Sequence, residues 1–402
     1  MGDTYTIREE KDVLRYYEPP KIRNQAIAML ASDLCYVREE EMIHLLADSL
    51  RMSKDVQAVG VVDHEDRVVG MVVRDDLFNT MVRPYARDVF RNRPVREVMT
   101  HARTYDADLN LFTVADEITA EMKKPGIHYF VLTDAAGRFC GIFSTQDMLV
   151  YLSEMTQNDI ALARKLQSRI VRERELQVGR SFEFMAASHK AKGVGGDFYD
   201  IRKYNDSNWV LAFCDVAGKG VSASIVTSVI WGMMSIFDFQ QGLTTFVRRL
   251  NDYIVRTFES EKFVTGVFVD YNEETGELMI CDMGHSHLFL HRDRKFFRVK
   301  NSANNLPIGI VPEVEPRFDT IRPDRNDMLV LLTDGMLEQD NNAGEVYSIE
   351  RVAAIVRKNA RMPVESTGDT LLRDFNTFRG QHHLNDDVTF ALMKFAPQEV
   401  TL

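Results

Sequence analysis

Aspartates dominate the residues of this 402-residue chain that could do chemistry. Asp197 lies in GVGGDFYD, Asp215 in LAFCDVAGKG, Asp334 in LVLLTDGMLE and the pair Asp386-Asp387 in LNDDVTFAL, each at a turn beside an apolar, strand-like run. An Asp placed this way projects from a sheet end, where carboxylates from separate strands converge, and held close they repel unless a cation sits between them. An all-oxygen set, with few His and no clustered Cys nearby, selects a hard or borderline divalent ion, Mg2+ or Mn2+. The neighbouring Gly195, Gly196, Gly218, Gly220 and Gly335 let backbone pass close to ions and substrate. The rival for chemistry is the lysine of AGKG. A P-loop needs GxxxxGK[ST], but Phe213 stands at the upstream position and Gly220 at the downstream one, so Lys219 reads as a solvated residue at a helix start. His285, in MGHSH, is a candidate proton donor to a leaving oxygen, with a purely structural role as the alternative. One Asp-Gly turn alone would mean little; the combination points to metal-dependent chemistry.

The elements that must position these residues are mostly strands. From about Arg180 to Ala396, runs such as SFEFMAAS, NWVLAFCDV, KFVTGVFVDYN, GELMICDMG and DMLVLLTDG alternate with helical stretches at Ser222–Phe239, Thr244–Phe258, Ile349–Asn359 and Asp369–Phe378. NEETGE and RDRK read as hairpin turns, which predicts two largely antiparallel sheets flanked by helices. In order, ARKLQ, VGGDFYD, CDVAGKGVSAS, MGHSHLFL, LPIGI, TDGMLEQDNNAGEVYS and DDVTF span about Leu162 to Phe395. This series is similar to the metal-dependent serine/threonine protein phosphatases of the PPM superfamily, and most of all to its bacterial branch of stage II sporulation E and RsbU-type phosphatases. MGHSH departs from that branch's Asn-Ala-Gly-His stretch, and the Leu-Pro turn after the lead helix is missing. The resemblance implies a β-sandwich with two metal ions. Asp197 and Asp215 would be central ligands, the Val216 carbonyl would assist, and Asp334 and Asp386 would complete the sites, with Asp387 the nearest rival to Asp386. It further implies hydrolysis of phosphoserine or phosphothreonine by an activated water without a covalent enzyme intermediate, a STAS-type anti-sigma-factor antagonist as substrate, and a homodimer.

The N-terminal third repeats itself. AVGVVDHEDRVVGMVVRDDLFNTM aligns with HYFVLTDAAGRFCGIFSTQDMLVYL, each preceded by a helical segment, so the unit is β-α-β-β-α and pseudo-twofold. About residues 20 to 155 resemble tandem cystathionine-β-synthase (CBS) domains. That resemblance implies an adenine nucleotide held by Ser144 and Asp147 in GIFSTQD; the first copy offers Gly70 and Asp76 but has Val73 where the hydroxyl belongs. The competing reading of Ser144 and Asp147 is a helix N-cap with its N3 acid, which needs no ligand. From Asp147 to about Leu176 neither Gly nor Pro interrupts a stretch with apolar residues at Leu152, Met155, Leu162, Leu166 and Ile170, which predicts one long amphipathic helix suited to a signalling rod or dimer seam. The expected organisation is an N-terminal segment over 1–20, a CBS module over 21–155, a linker helix over 156–180 and a phosphatase domain over 181–397.

Composition narrows the partners. A net charge of −11 gives no footprint for nucleic acid or an anionic membrane, and no apolar run approaches the ~20 residues of a membrane span. The first twenty residues are charged and lack a signal-peptide core, so a cytoplasmic protein is expected; the MGxxxT match at Gly2 and Thr6 reads as chance. Cys35, Cys140, Cys214 and Cys281 are far apart and read as buried thiols. Two functions compete: a phosphatase regulated through its CBS module, and a nucleotide-sensing adaptor whose phosphatase-like domain only binds partners.

Overall fold

The computed structural model describes residues 13–18, 26–82, 89–90, 92–259, 261–300 and 304–396. The MGxxxT match and most of the expected N-terminal segment over 1–20 lie outside them. The chain divides into two compact units, 1–157 and 158–402.

In the first unit, two halves share one order of elements. Strands β1 (Arg15–Tyr16), β2 (Cys35–Arg38), β3 (Ala58–Val62) and β4 (Val68–Val73) form a sheet in that order, with helix α1 (Ile43–Met52) between β2 and β3 and α2 (Arg74–Met81) after β4. Strands β5 (Thr104–Asp106), β6 (Tyr129–Thr133) and β7 (Phe139–Ser144) form the other, with α3 (Leu111–Met122) between β5 and β6 and α4 (Thr145–Gln167) following. Each half pairs two strands in parallel across its helix and then closes an antiparallel hairpin, and both hairpins shift register at the same place, Val61/Val62 and Leu132/Thr133. Ala58 and Val62 of one half and Val131, Phe139 and Ile142 of the other share a small core.

Helix α4 ends at Gln167, short of the linker helix expected through residue 180. Arg174–Val178 is instead an edge strand, β8, paired antiparallel with β9 (Phe182–His189). RELQV is made of good helix formers, but pairing along a sheet edge overrides local preference here. Of the expected apolar stripe on α4, Leu162 and Leu166 are exposed while Gln167 is buried.

The second unit is a sandwich. One sheet has the order β10-β11-β12-β13-β16, built from Phe198–Lys203, Asn208–Val216, Val264–Asn272, Glu277–Met283 and Asp319–Ile321. The other has the order β15-β14-β17-β18-β9-β8, adding Lys295–Arg298, Leu288–Arg292, Met328–Leu332 and Val388–Phe395. Every pairing is antiparallel. The RDRK hairpin turns through Asp293 and Arg294, both at positive φ, the geometry that matches strand twist. Strand β17 shows why these strands read as unbroken apolar runs. Leu329 and Leu331 join the large core, which also takes residues of α5 (Val221–Ile236) and α6 (Leu243–Phe258), while Met328, Val330 and Leu332 pack with α8 (Ile349–Asn359) and α9 (Val364–Arg379). A one-turn helix, α7 (Asp334–Leu337), starts directly after β17. All four cysteines are buried and none is in a disulfide, and no helix among the described residues is long and apolar enough to cross a membrane.

Candidate functional site

Four elements deliver carboxylates to one end of the sandwich. Asp215 ends β11, Asp334 opens α7, Asp386 and Asp387 precede β18, and Asp197 precedes β10. Asp215, Val216, Asp334, Asp386 and Asp387 line a pocket of about 330 Å3 together with Gly196, Lys219, Thr265, His285 and His287. Asp197 lies deeper, 2% exposed, its Oδ2 accepting a hydrogen bond from the Thr333 hydroxyl at 3.0 Å. Burial first, and then the field of Asp197, Asp334, Asp386 and Asp387, pushes the Asp215 carboxyl far above the usual carboxylate range. Burial also raises Asp197, against the lowering pull of the Lys190 ammonium. Such a cluster lacks positive charge. The donors are oxygen, which fits a hard divalent ion, although no three acidic, His or Cys side chains among the described residues already converge as a ligand cage.

The structure separates the two rivals at the β18 entrance. Asp387 is buried, and both its oxygens are used: Oδ1 accepts from the Ala191 amide at 2.9 Å and Oδ2 from the Gly196 amide at 2.7 Å. It is a clamp on the loop that carries Asp197. Asp386 is half-buried and faces the pocket. Its Oδ2 meets the Lys219 ammonium at 2.7 Å, and Lys219 also donates to the Asn385 carbonyl at 2.9 Å. Lys219 is thus exposed at a helix start, as its sequence context predicts, but it is not idle: it is drawn back over the acidic end of the pocket, and the bond to Asp386 raises its pKa. Two glycines are fixed by this crowding. A Cβ on Gly195 would lie 1.7 Å from Asp387 Oδ2, and one on Gly335 would lie 2.0 Å from the Asp387 carbonyl oxygen.

His285 is held as a structural residue. It is buried, its backbone amide donates to Asp282 Oδ1 at 2.7 Å, and its Nε2 donates to the Leu332 carbonyl at 2.8 Å. Burial lowers its pKa to about 4, so at neutral pH the ring is uncharged with its proton already committed to a carbonyl. It is not placed to hand a proton to a leaving group.

Three partners of the site were not singled out from the sequence, although Gln167 closes ARKLQ and Thr333 opens TDGMLEQ. Gln167, at the end of α4, is buried; its Nε2 donates to the Gly195 carbonyl at 2.6 Å and to Thr227 Oγ1 at 3.1 Å, and its Oε1 accepts from the Gly195 amide at 2.9 Å. Lys190 donates to the Asp197 carbonyl at 2.7 Å. Thr333 joins Asp197 to the β18 backbone through Thr389, whose amide donates to Thr333 Oγ1 at 3.0 Å.

The residues expected to hold a nucleotide in the first unit look different. Asp147 Oδ2 accepts from the Ser144 amide at 2.7 Å and hydroxyl at 2.6 Å, and the Asp147 amide donates back to Ser144 Oγ at 3.2 Å. That is the reciprocal capping arrangement at the start of α4. Ser144 and Asp147 also line a pocket of about 650 Å3, but its ionisable lining among the described residues is Asp33, Asp55, Asp75, Asp147, Glu154 and two tyrosines, with no Lys or Arg among them to face a phosphate. Asp76 is not part of that lining; its neighbour Asp75 is.

Residues 205–396 match the family model described as Stage II sporulation protein E (SpoIIE). That span holds Asp215, Asp334, Asp386 and Asp387; Asp197 lies just before it. Among curated proteins, Stage II sporulation protein E of Priestia megaterium is 26% identical over 156 residues, covering 38% of this chain and 26% of that protein. Protein IcfG of Synechocystis sp. (strain ATCC 27184 / PCC 6803 / Kazusa) is 22% identical over 209 residues, covering 45% of this chain and 33% of that protein. The chain thus spans a third or less of these relatives' lengths. Among solved structures, the SiaA-PP2C domain of Pseudomonas aeruginosa superposes with a TM-score of 0.51 at 16% identity, covering 61% of this chain and 98% of that one. The second unit is thus similar in sequence, over residues 205–396, to the SpoIIE family model and similar in fold to the SiaA-PP2C domain.

Proposed function

We propose that the protein is a metal-dependent serine/threonine protein phosphatase. The observation that carries this is the set of carboxylates, Asp197, Asp215, Asp334 and Asp386, brought from four separate elements to one pocket end where burial and mutual repulsion leave them short of positive charge. In this reading Asp197, Asp215, Asp334 and Asp386, with the Val216 carbonyl, hold two Mn2+ or Mg2+ ions, and Asp387 positions the loop. The ions would supply Lewis acidity and a water acidic enough to attack phosphorus at neutral pH. The protein's own part is to keep the ligands in place: Asp387, Gln167 and Lys190 fix the 190–197 loop, and neutral His285 ties the 285–287 turn to the end of β17. In this reading water is the nucleophile, so no side chain has to form a covalent phosphoenzyme.

The substrate we assign is a phosphoserine or phosphothreonine protein, an anti-sigma-factor antagonist of the STAS type. The repeated halves of the first unit, with their matching parallel pair, hairpin and register shift, support a tandem CBS module acting on the phosphatase through α4. The exposed Leu162 and Leu166 support α4 as the seam of a homodimer. For the ligand of that module, the carboxylate-lined pocket favours an uncharged or cationic molecule over the adenine nucleotide that the CBS resemblance implies. The alternative, an adaptor that binds partners without turnover, draws on Lys219, which already neutralises Asp386 without a metal.

The deciding experiment loads the full chain with Mn2+ and measures phosphate release from a phosphoserine protein, alongside Mn2+ binding by calorimetry. The proposal requires turnover that disappears in Asp215→Asn. Metal binding with no phosphate release from any phosphoprotein leaves the adaptor; no metal binding at all removes the phosphatase.

A further inference from the structure

A second pocket of about 350 Å3 adjoins the 190–197 loop, and none of the five aspartates lines it. Its walls come from the end of α4, the end of β9 and the last turns of α9. Two guanidinium groups on this lining are under-used. Arg164 is exposed, and among the described residues no hydrogen bond or ion pair engages its guanidinium. Arg379 donates from Nη1 to the His382 carbonyl at 3.1 Å and, at a long 3.4 Å, from Nη2 to Asn376 Oδ1, while its Nε is buried with no partner. A buried donor on a permanently charged group is costly to leave unmade. Ser188 has spare capacity as well, since its oxygen accepts from Thr389 Oγ1 at 2.8 Å and its own hydrogen is left to give. Against these stands one acid, Glu173.

We infer that this pocket binds a small molecule through a phosphoryl group gripped between Arg164 and Arg379. Guanidinium forks match phosphate oxygens two at a time, and two permanent charges suit a phosphate dianion better than a single carboxylate. The volume falls in the range of small-molecule pockets, roughly 300–1,000 Å3, and leaves room for more than phosphate alone. Glu173 then offers an acceptor to a hydroxyl or amino group on the same ligand. The pocket also has a route to the acidic site: Gln167 and Lys190 are on its wall, and the first grips Gly195 while the second grips the Asp197 carbonyl. An occupant therefore bears on the residues that hold the 190–197 loop. This link to activity rests on the phosphatase reading; the binding itself does not.

The test uses the full chain stripped of metal with EDTA and dialysed, so that phosphate cannot report on the aspartate site. Thermal melting and calorimetry are run with inorganic phosphate, with a panel of phosphate monoesters and their dephosphorylated counterparts, and with chloride at matched ionic strength. A saturable stabilisation by phosphorylated compounds is expected, with Kd weakened about tenfold or more in Arg164→Ala and in Arg379→Ala, the loss of one charge-assisted fork. Arg164 is exposed, so its variant decides the matter should Arg379→Ala not fold. Equal binding of phosphate and esters makes free phosphate the natural occupant, and preference for an ester makes it a metabolite; both support the site. No stabilisation by any phosphorylated compound, or stabilisation unchanged in Arg164→Ala, overturns it. A protein inactive as a phosphatase that still binds phosphate esters here separates the two claims.

Discussion

Replacing Gln167 by Leu tests whether α4 holds the 190–197 loop in place. Leucine keeps most of the side-chain volume, so the change removes hydrogen bonds with little cavity. Three are lost, to the Gly195 amide, the Gly195 carbonyl and the Thr227 hydroxyl, at a buried position. Each is worth about 1 kcal/mol net, and each backbone group left buried without a partner costs about 1–3 kcal/mol, so the total is roughly 2–5 kcal/mol. If this loss is felt by the whole second unit, its melting temperature falls by roughly 5–15 °C, at about 2–4 °C per kcal/mol for a domain of this size. If the 190–197 loop instead loosens alone, melting moves little and the loss appears as weaker Mn2+ binding. Differential scanning calorimetry and Mn2+ titration on the same samples cover both routes. Melting within 1 °C of the parent together with unchanged Mn2+ affinity would refute the assignment of Gln167 as the brace.

Other predictions follow from the same geometry. Asp215, raised to about 9 by burial and its acidic neighbours, keeps a proton in the folded state that the unfolded chain gives up near pH 4. Asp215 should therefore cost metal-free protein about 1.4 kcal/mol of stability per pH unit as pH rises between 6 and 8, with Asp197, raised to about 7, adding to the fall at the lower end of that range, and Mn2+ or Asp215→Asn should flatten the slope in urea titrations. Gly335→Ala puts a Cβ 2.0 Å from the Asp387 carbonyl oxygen, and a soluble, fully folded variant with parent-like melting would contradict the packing described. Lys219→Ala removes an exposed ion pair worth under about 1 kcal/mol, leaving stability nearly unchanged while Mn2+ binds more tightly because Asp386 is freed. His285→Asn should lower stability, since the buried ring bonds to Leu332 are lost, without removing a limb from the pH–rate profile.

The aspartates were legible in the sequence because each sits at the joint between an apolar run and a turn, a pattern that backbone geometry imposes whatever the distant neighbours are. The hairpins and the α5, α6 and α8 helices were legible for the same local reason. What decides the division of labour at Asp386-Asp387 is not local. Two adjacent residues of one type point to different surroundings, one to the amides of Ala191 and Gly196 and the other to Lys219, and only the folded chain shows which. The partners of the exposed Lys219, Asn385 and Asp386, were hidden for that reason too: they are far away along the chain. The end of α4 was missed because Arg174–Val178 has the composition of a helix and becomes a strand only through the edge of β9. Ser144 and Asp147 illustrate the reverse case, where a local capping motif accounts for residues that also fit a ligand pattern.

The clamp at Asp387 has a consequence for how the site comes into being. Its carboxylate reaches an amide 191 residues earlier in the chain, and β18, which it introduces, lies between β17 and β9 in the sheet. The strand that comes late in sequence is thus an inner stave with neighbours on both sides. Contacts this distant along the chain form slowly and late. Until β18 inserts, the loop of Asp197 lacks the Asp387 clamp and Asp386 has not joined the other carboxylates. Competence and completion of folding become a single event, so a chain arrested with most of its core already packed would still be inert.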